Sequence, residues 1–295
     1  MKQEDNHLQL GDAFDAITQK LLNYGKLANC SGSMPSTYAV PGILESFKHL
    51  LFPRFYHQNI ETEDALKQSL PEEISKLHKQ LSAEIEKAFS YQVEHEKECD
   101  GLSEQAEQVT LDLLKELPAI RHILECDLEE VMSHDPAAKG IEEILLAYPG
   151  FEAITVHRLA HFLYNKKVPL LPRMMSEWVH RRTGIDIHPG AQIAPYCSID
   201  HGTGLIIGET TIIGQHVNLF HNVTLGARKV TPEFRGCKRH PTIGDHVIIY
   251  PGATILGDIQ VGKNSVIGGN VFLLESCPDD SKIYAKPPEI IIRKK

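Results

Sequence analysis

The chain has 295 residues, of which 42% are hydrophobic and 23% charged, and its formal net charge at pH 7 is −9. These values are typical of a globular protein with room for two domains, and the acidic balance argues against a general nucleic-acid-binding protein. No apolar run approaches the roughly 18 residues that a membrane-spanning helix requires, so no membrane segment is expected.

The N-terminal stretch MKQEDNHLQLGDAFD is acidic and polar. It has neither the charged-then-apolar layout of a secretory signal nor the Arg-rich layout of a transit peptide, which predicts a cytoplasmic protein. Six widely spread cysteines form no CxxC pair, so free thiols are expected rather than disulfides or a zinc knuckle. They are Cys30, Cys99, Cys126, Cys197, Cys237 and Cys277.

Residues 1–183 are predicted to form an α-helical domain. Segments 71–95, 118–134 and 151–167 carry apolar residues at helical spacing with charged residues between them. The first two segments open on proline, a residue typical of helix starts, so we expect helices to begin at Pro71 and Pro118.

Breaks at residues 31–36 and 169–172 divide this helical domain, and residues 182–186, RTGID, mark a change of pattern. A set of apolar helices ahead of a repeat domain can cap the open end of that domain or join protomers, and either arrangement covers an exposed strand edge.

Residues 184–278 repeat every six positions, with a two-residue slip after residue 199 and one long interruption. A helix requires apolar spacings of three and four, and a hairpin requires alternation, so neither explains this period. Short strands meeting at the corners of a triangular coil do explain it, which predicts a parallel β-helix whose core is a column of aliphatic residues. Residues 279–295 are assigned to a C-terminal tail. The aliphatic positions are Ile187, Ile193, Ile199, Ile207, Ile213, Leu219, Leu225, Ile243, Ile249, Ile255, Val261, Ile267 and Leu273.

The stretch IDHGTGLIIGE, residues 199–209, places a histidine beside an acid. With Ile199 and Thr203 at inward positions, His201 is expected at a corner with its ring pointing outward. A histidine at such a place is commonly only solvated, and that alternative is kept. Asp186 lies close to one coil earlier, where a carboxylate can orient the ring and stabilise its charged form, and this arrangement is typical of a general base. The adjacent Asp200 favours the same interpretation.

The interruption, loop 226–242, is strongly basic in an acidic protein. A loop that leaves a regular solenoid commonly covers a binding site, and clustered Arg and Lys side chains suit phosphate groups. A solvated flap is the alternative. The loop holds Arg228, Lys229, Arg235, Lys238 and Arg239 against one acid, Glu233, and Arg293, Lys294 and Lys295 add positive charge at the C-terminus.

Five motifs in this order, DIHPGAQI, IDHGTGLIIGE, NVTLG, RHPTIGD and GATILGDIQVG, resemble the serine O-acetyltransferases. The upstream stretches HDPA and FEAITVHRLAHFLYN extend the resemblance to roughly residues 118–290, whereas the first hundred residues match less clearly. The resemblance implies an α+β multidomain protein, with an N-terminal α-helical bundle followed by a left-handed parallel β-helix. It also implies transfer of an acetyl group from acetyl-CoA to L-serine, the first step of cysteine biosynthesis.

The family's catalytic roles fall on His201 as the general base that removes the proton of the serine hydroxyl, and on Asp186 as the acid that holds its ring. The hydroxyl then attacks the thioester directly. Asp135 and Asp200 match carboxylates that bind the amino group of serine. The resemblance implies three further substrate contacts. Arg239 faces the serine carboxylate, and His240 lies next to Arg239. Glu209 matches a family position whose role is less defined.

Acetyl-CoA as co-substrate is expected near Gly226, Ala227 and Gly269, and no metal is expected. The family's active site lies between adjacent solenoids, which implies a homotrimer or a dimer of trimers. L-cysteine resembles L-serine closely enough to be a feedback inhibitor at the same residues.

Several departures from the family pattern affect these expectations. The loop reads ARKVTPEFRGCK where relatives commonly have a glycine-rich sequence, and Tyr250 and Pro251 stand where small residues are common beside the CoA groove. The chain ends PPEIIIRKK, without the long tail that relatives insert into O-acetylserine sulfhydrylase, so no tight complex with that enzyme is expected.

Three other functions are compatible with a hexapeptide solenoid. A related acetyltransferase acting on another hydroxyl, such as homoserine or a sugar, would keep His201 but would have no use for Asp135, Asp200 and Arg239. A zinc enzyme of the γ-carbonic-anhydrase kind would bind metal through three histidines, for which His201, His216 and His221 are available. A non-catalytic scaffold would not depend on His201.

Overall fold

The computed structural model describes residues 14, 16–20, 34–56, 62–93, 101–229, 231, 233, 236–286, 291 and 293. The described residues 14 and 16–20 are helical and belong to a unit separate from residues 34–295. Residues 34–295 form a second compact unit that contains both further helices and the solenoid. Cys30, Cys99 and the first half of the predicted break at 31–36 lie outside the described residues.

The described helices after residue 34 confirm the predicted helical character of this part of the chain. None of the helices that could be searched is both long enough and apolar enough to cross a membrane. The helices are α1 (Ala39–Leu51), α2 (Pro53–Tyr56), α3 (Glu63–Val93), α4 (Leu102–His134), α5 (Ile141–Ala147), α6 (Pro149–Asn165) and α7 (Leu171–Thr183).

The predicted helix starts at Pro71 and Pro118 are wrong, because both prolines lie inside the long helices α3 and α4. Helix α3 begins instead at Glu63, where the Thr62 hydroxyl accepts a 3.2 Å hydrogen bond from the Ala65 N–H and so caps the first turn. An internal proline removes one helical hydrogen bond. The two helices persist because packing of their apolar faces, rather than local preference, supplies most of a helix's stability.

The solenoid consists of short strands arranged in three parallel sheets. Sheet A contains β1 (Asp186–Ile187), β4 (Ile206–Ile207), β7 (Thr224–Gly226), β10 (Thr254–Leu256) and β13 (Phe272–Leu273). Sheet B contains β2 (Gln192–Ile193), β5 (Ile212–Ile213), β8 (Thr242–Ile243) and β11 (Gln260–Val261). Sheet C contains β3 (Cys197–Ile199), β6 (Val217–Leu219), β9 (Ile248–Ile249), β12 (Val266–Ile267) and β14 (Lys282–Ile283). The parallel β-helix with hexapeptide repeats is therefore confirmed, and its last strand lies beyond residue 278.

The predicted aliphatic positions all lie in strands and form the solenoid core. Ile207 pairs with Leu225 and Ile255 pairs with Leu273, so each aliphatic side chain stacks on its equivalent one coil away. All are buried except Ile193 and Leu273, which are partly buried against the same core. Burying an aliphatic side chain of this size stabilises the folded chain by about 1.5–3 kcal/mol. Because the six-residue period places one such side chain in each strand, the period specifies the coil.

The predicted inward position of Thr203 is wrong, because Thr203 is exposed and Leu205 is fully buried in its place. The two-residue slip lies in the turn between β3 and β4 and moves the inward position from residue 203 to residue 205. The corner turns through positive φ angles of 54° at His201 and 72° at Gly202. A side chain at Gly202 would place Cβ 2.4 Å from Ile185 Cδ1, so only glycine fits.

A buried ion pair fixes the helices on the first coil of the solenoid. Arg158 on α6 donates to both carboxylate oxygens of Asp127 on α4, at 2.7 and 2.8 Å. The same guanidinium donates to the carbonyls of Ile193 and Ala194, and Asp127 also accepts the backbone N–H of Cys197 at 2.9 Å. These bonds hold the end of α4 over the outer face of sheet C.

Candidate active site

The predicted site residues of the solenoid fall on two edges of sheet A, and Asp135 follows helix α4. Corner CA joins sheet C to sheet A and is formed, on the second coil, by residues 200–205. Corner AB joins sheet A to sheet B and is formed by residues 208–211 and, one coil on, by 227–241.

A cavity of about 150 Å³ lies between the end of α4 and the outer face of sheet C, next to corner CA. Asp135 and Asp200 both line it, and Asn218 and Tyr148 complete its polar wall. Phe220, which stacks on the Tyr250 ring at 5.2 Å, contributes an apolar side. Two carboxylates in one small cavity suit a ligand that carries positive charge and hydrogen-bond donors.

The Asp135 carboxylate is held in place by its neighbours. The Tyr148 hydroxyl donates to Oδ2 at 2.7 Å, and the Ala137 N–H donates to Oδ1 at 2.8 Å. These bonds, that of Tyr148 foremost, lower the pKa of Asp135 and keep it ionised, and the charge of a protonated His201 acts in the same direction. The hydrogen bond to Asp135 is also the main cause that raises the pKa of Tyr148 to about 12.

His201 projects outward from corner CA, with its side chain 74% exposed in a single chain. Its Nδ1 atom lies 3.8 Å from Oδ1 of Asp200, which is too long for a hydrogen bond but close enough for electrostatic attraction to the charged ring. The His221 ring meets it edge to face at 5.8 Å. The outward orientation predicted from the repeat is thus found, with Leu205 rather than Thr203 as the inward residue.

Asp186 does not contact His201 in this chain. Its carboxylate accepts a 3.3 Å hydrogen bond from Arg173 Nη1, and the same guanidinium pairs with Glu177 at 2.5 Å. The role of Asp186 in orienting His201 stays a prediction.

At corner AB, Glu209 accepts hydrogen bonds from the Tyr164 hydroxyl at 2.8 Å and from the Arg239 guanidinium. Burial, the largest single cause, would raise the pKa of Glu209, but these two bonds and the positive charges of His188 and Arg239 together lower it. The backbone N–H of Arg239 donates to the Thr210 hydroxyl at 3.0 Å. Arg239 Nη1 also donates to the Cys237 carbonyl at 3.2 Å, so Glu209 and the loop backbone together orient the guanidinium.

His240, beside Arg239, is 7% exposed. The Thr210 N–H donates to its Nδ1 at 3.1 Å, which leaves the proton of the neutral ring on Nε2. Burial, followed by the positive charges of Arg239 and Lys238, lowers the pKa of His240 to about 4. A Cβ at Gly208 would lie 2.0 Å from the ring, so glycine is needed there.

The predicted CoA-binding residues also divide between the two edges of sheet A. Gly226 and Ala227 lie at corner AB, whereas Gly269 follows β12 at corner CA. In one chain the predicted solenoid residues therefore lie in two groups at opposite edges of one sheet.

Two described side chains of loop 226–242 reach the coil that follows it. Arg228 Nε donates to the Leu256 carbonyl at 3.4 Å, and Lys238 Nζ lies 3.9 Å from Asp258. Arg228 and Lys229 are exposed, which leaves positive charge at corner AB. The predicted basic residues Arg235, Lys294 and Lys295 lie outside the described part of the chain.

The three histidines considered for zinc do not meet in one chain. His201 and His221 are neighbours at corner CA, but the His216 ring is stacked between Tyr196 and His246, at 4.4 and 4.7 Å, at the corner between sheets B and C. Within the described residues, one group has metal-ligand atoms within 4.8 Å of one another, namely Glu177, His180 and Asp186. Both of its carboxylates already pair with Arg173.

Sequence patterns did not identify several polar residues that shape these two corners. Tyr148 and Tyr164 belong to the helical region, and each holds a predicted carboxylate through its hydroxyl. Thr210 and Asn218 are β-helix residues with no motif of their own. Only the packing of distant segments reveals their contacts.

Comparisons with known proteins agree with the fold and with the motifs. Residues 51–156 match the family model described as serine acetyltransferase, N-terminal, and residues 240–274 match the bacterial transferase hexapeptide model, which has six repeats. A serine acetyltransferase from Synechococcus elongatus, described as plasmid, is 42% identical over 259 residues, or 85% of this chain and 81% of the relative.

Solved structures are similar along most of the chain. Serine acetyltransferase isoform 3 from Entamoeba histolytica, in complex with cysteine, has a TM-score of 0.75 and 31% identity, covering 95% of this chain and 93% of that one. Soybean serine acetyltransferase complexed with serine has a TM-score of 0.56 and 30% identity, covering 86% of this chain and 99% of that one.

Proposed function

The chain belongs to the serine acetyltransferase family, and on that premise we propose that it transfers the acetyl group of acetyl-CoA to the hydroxyl of L-serine. The products are O-acetyl-L-serine and CoA, and the reaction is the first step of cysteine biosynthesis.

The observation that carries this proposal is the cavity shared by Asp135 and Asp200. Two carboxylates match the ammonium group of an amino acid, which an acceptor such as a sugar lacks. His201 lies beside this cavity at corner CA, within 3.8 Å of Asp200, so a hydroxyl on a ligand held by its ammonium group comes next to the imidazole.

His201 acts as the general base in the proposed reaction. Its neutral imidazole takes the proton of the serine hydroxyl as the oxygen attacks the thioester carbonyl, forming a C–O bond. When the tetrahedral intermediate collapses, the C–S bond breaks and the imidazolium returns the proton to the CoA sulfur. The Asp200 carboxylate stabilises the imidazolium, and Asp186 becomes available to the ring if it is released from Arg173.

The complete site forms between two copies of the chain. Arg239, which is proposed to bind the serine carboxylate through its planar fork, belongs to corner AB, at the opposite edge of sheet A from Asp200. In a closed ring of three, corner CA of one copy meets corner AB of the next, and sheet A of each copy faces the axis. Exposed Ile206 and Phe272 on the outer face of sheet A, 43% and 65% accessible, support burial there.

Acetyl-CoA occupies the same groove between copies. Gly226 and Ala227 from one copy and Gly269 from the next line it, and the positive charge of Arg228 and Lys238 suits the CoA phosphates. Pairing of two trimers through the helical domain stays a prediction.

L-cysteine is proposed to compete with L-serine for the Asp135 and Asp200 cavity, since the two amino acids share their ammonium and carboxylate groups. The Entamoeba relative was solved in complex with cysteine, which supports this proposal.

Release of CoA thiol from acetyl-CoA tests the proposed function, with L-serine, L-homoserine and a galactoside as alternative acceptors. L-serine should give the highest kcat/KM, and L-cysteine should raise the KM for serine. If thiol release with L-serine stayed at the hydrolysis background, the proposal would be overturned.

A further inference from the structure

Asn218 lies on the outer face of sheet C, in the wall of the cavity that holds Asp135 and Asp200. It is 5% exposed. Its Nδ2 atom donates to Oε1 of Glu130 at 3.3 Å, whereas its Oδ1 atom is buried and has no hydrogen-bond partner among the described residues. An acceptor left in that state is destabilising, and its place in the cavity wall favours a ligand that brings a donor.

The orientation of the Asn218 amide follows from the chemistry of Glu130. Glu130 is buried on α4, and its carboxylate also meets Nδ1 of His216 at 2.8 Å. The NH2 group of Asn218 donates to this carboxylate, so the amide oxygen faces the other way.

We propose that Asn218 is a substrate-binding residue whose Oδ1 atom accepts one N–H of the substrate ammonium group. A primary ammonium has three N–H donors, and the cavity then supplies three acceptors, one each from Asp135, Asp200 and Asn218. The proposal rests on the proposed function, because the ammonium group belongs to the amino-acid acceptor.

Three acceptors make the cavity selective for a primary amine. N-methyl-L-serine keeps the charge, hydroxyl and carboxylate of serine but has only two N–H donors, and its methyl group would face one acceptor. A site built to receive a donor rejects an analogue that lacks it. Wild-type enzyme should therefore bind N-methyl-L-serine about ten- to a hundredfold more weakly than L-serine, the range of one hydrogen bond to a charged group.

The test compares the KM for L-serine with the inhibition constant of N-methyl-L-serine, both measured by CoA thiol release. Asn218→Ala and Asn218→Ser both remove the amide oxygen. The hydroxyl of the Asn218→Ser variant can still donate a hydrogen bond to Glu130, so this variant carries the test if Asn218→Ala fails to fold. The control is Asn165→Ala, at the exposed end of α6. Circular dichroism and thermal unfolding check that each variant is folded.

The expected result is that both Asn218 variants bind L-serine about tenfold or more weakly than the wild type does. N-methyl-L-serine should bind as well as before or better, so that the selectivity between the two compounds is lost. Asn165→Ala should retain the wild-type ratio. An equal loss for both compounds, an unchanged ratio, or a wild-type enzyme that does not discriminate would each overturn the role of Asn218. Wild-type protein that is inactive with L-serine would instead overturn the proposed function.

Discussion

The Tyr148 hydroxyl donates a 2.7 Å hydrogen bond to Oδ2 of Asp135, just after the end of helix α4. Tyr148 stands between helices α5 and α6, so this bond joins two neighbouring segments at the edge of the proposed serine cavity. It keeps the carboxylate ionised and in one orientation.

Tyr148→Phe should weaken serine binding without removing catalysis. Loss of this hydrogen bond frees the Asp135 carboxylate and raises its pKa toward the ordinary value, so the KM for L-serine should rise about three- to tenfold while kcat changes less. Steady-state kinetics measures both constants. Tyr38→Phe, at an exposed residue before α1, is the matched control, and an unchanged KM in Tyr148→Phe would contradict the role of this bond.

His201→Ala should lower kcat about a hundred- to ten-thousand-fold, the usual range for a lost general base. The side chain is exposed, so the variant should fold and unfold as the wild type does. His122→Ala, an exposed histidine on α4, serves as the control in the same thiol assay. A near wild-type kcat in His201→Ala would indicate that another residue is the general base or that the protein is a scaffold whose function does not depend on His201.

Mixed oligomers test whether the active site is shared between copies. Asp200→Asn and Arg239→Ala should each be nearly inactive alone, because each removes one half of every site. Co-expressed in equal amounts, they should recover about a quarter of the wild-type activity, since one in four random neighbour pairs combines two intact halves. Activity that stays at the level of the separate variants would place both halves of the site in one chain.

Buried His240 should make the folded chain less stable in acid. Its folded pKa is about 4, below the ordinary value of 6.5, so the unfolded chain takes up this proton first as the pH falls. The contribution of His240 to the free energy of unfolding is therefore full above pH 6.5 and is lost between pH 6.5 and 4.

Urea unfolding of the wild type and of His240→Asn across this range measures that contribution. Asparagine can still accept the Thr210 N–H but does not titrate, so the stability difference between the two proteins should be constant above pH 6.5 and shift in favour of the variant below it. A stability difference that stayed constant down to pH 4 would show that His240 has the same pKa in the folded and unfolded chains, which would contradict this prediction.

Part of the site could be predicted from residue order alone. The outward position of His201 followed from the six-residue period, although the residue that takes the inward place is Leu205, because the extra length of the corner shifts the register. Asp135 and Asp200 were paired only through the resemblance to the family, and they do line one cavity. No local pattern indicated that Asp186 would bind Arg173, since that contact depends on the position of α7.

The sequence by itself determined the solenoid and the family, because side chains six residues apart must stack inside a triangular coil and the motifs stand at its corners. The tertiary structure alone decided which polar groups meet. The Asp127 and Arg158 pair lays the end of α4 on sheet C, and only that docking brings Asp135, Tyr148, Glu130 and Asn218 together. Such contacts join segments far apart in the chain, where no periodicity links one residue to another.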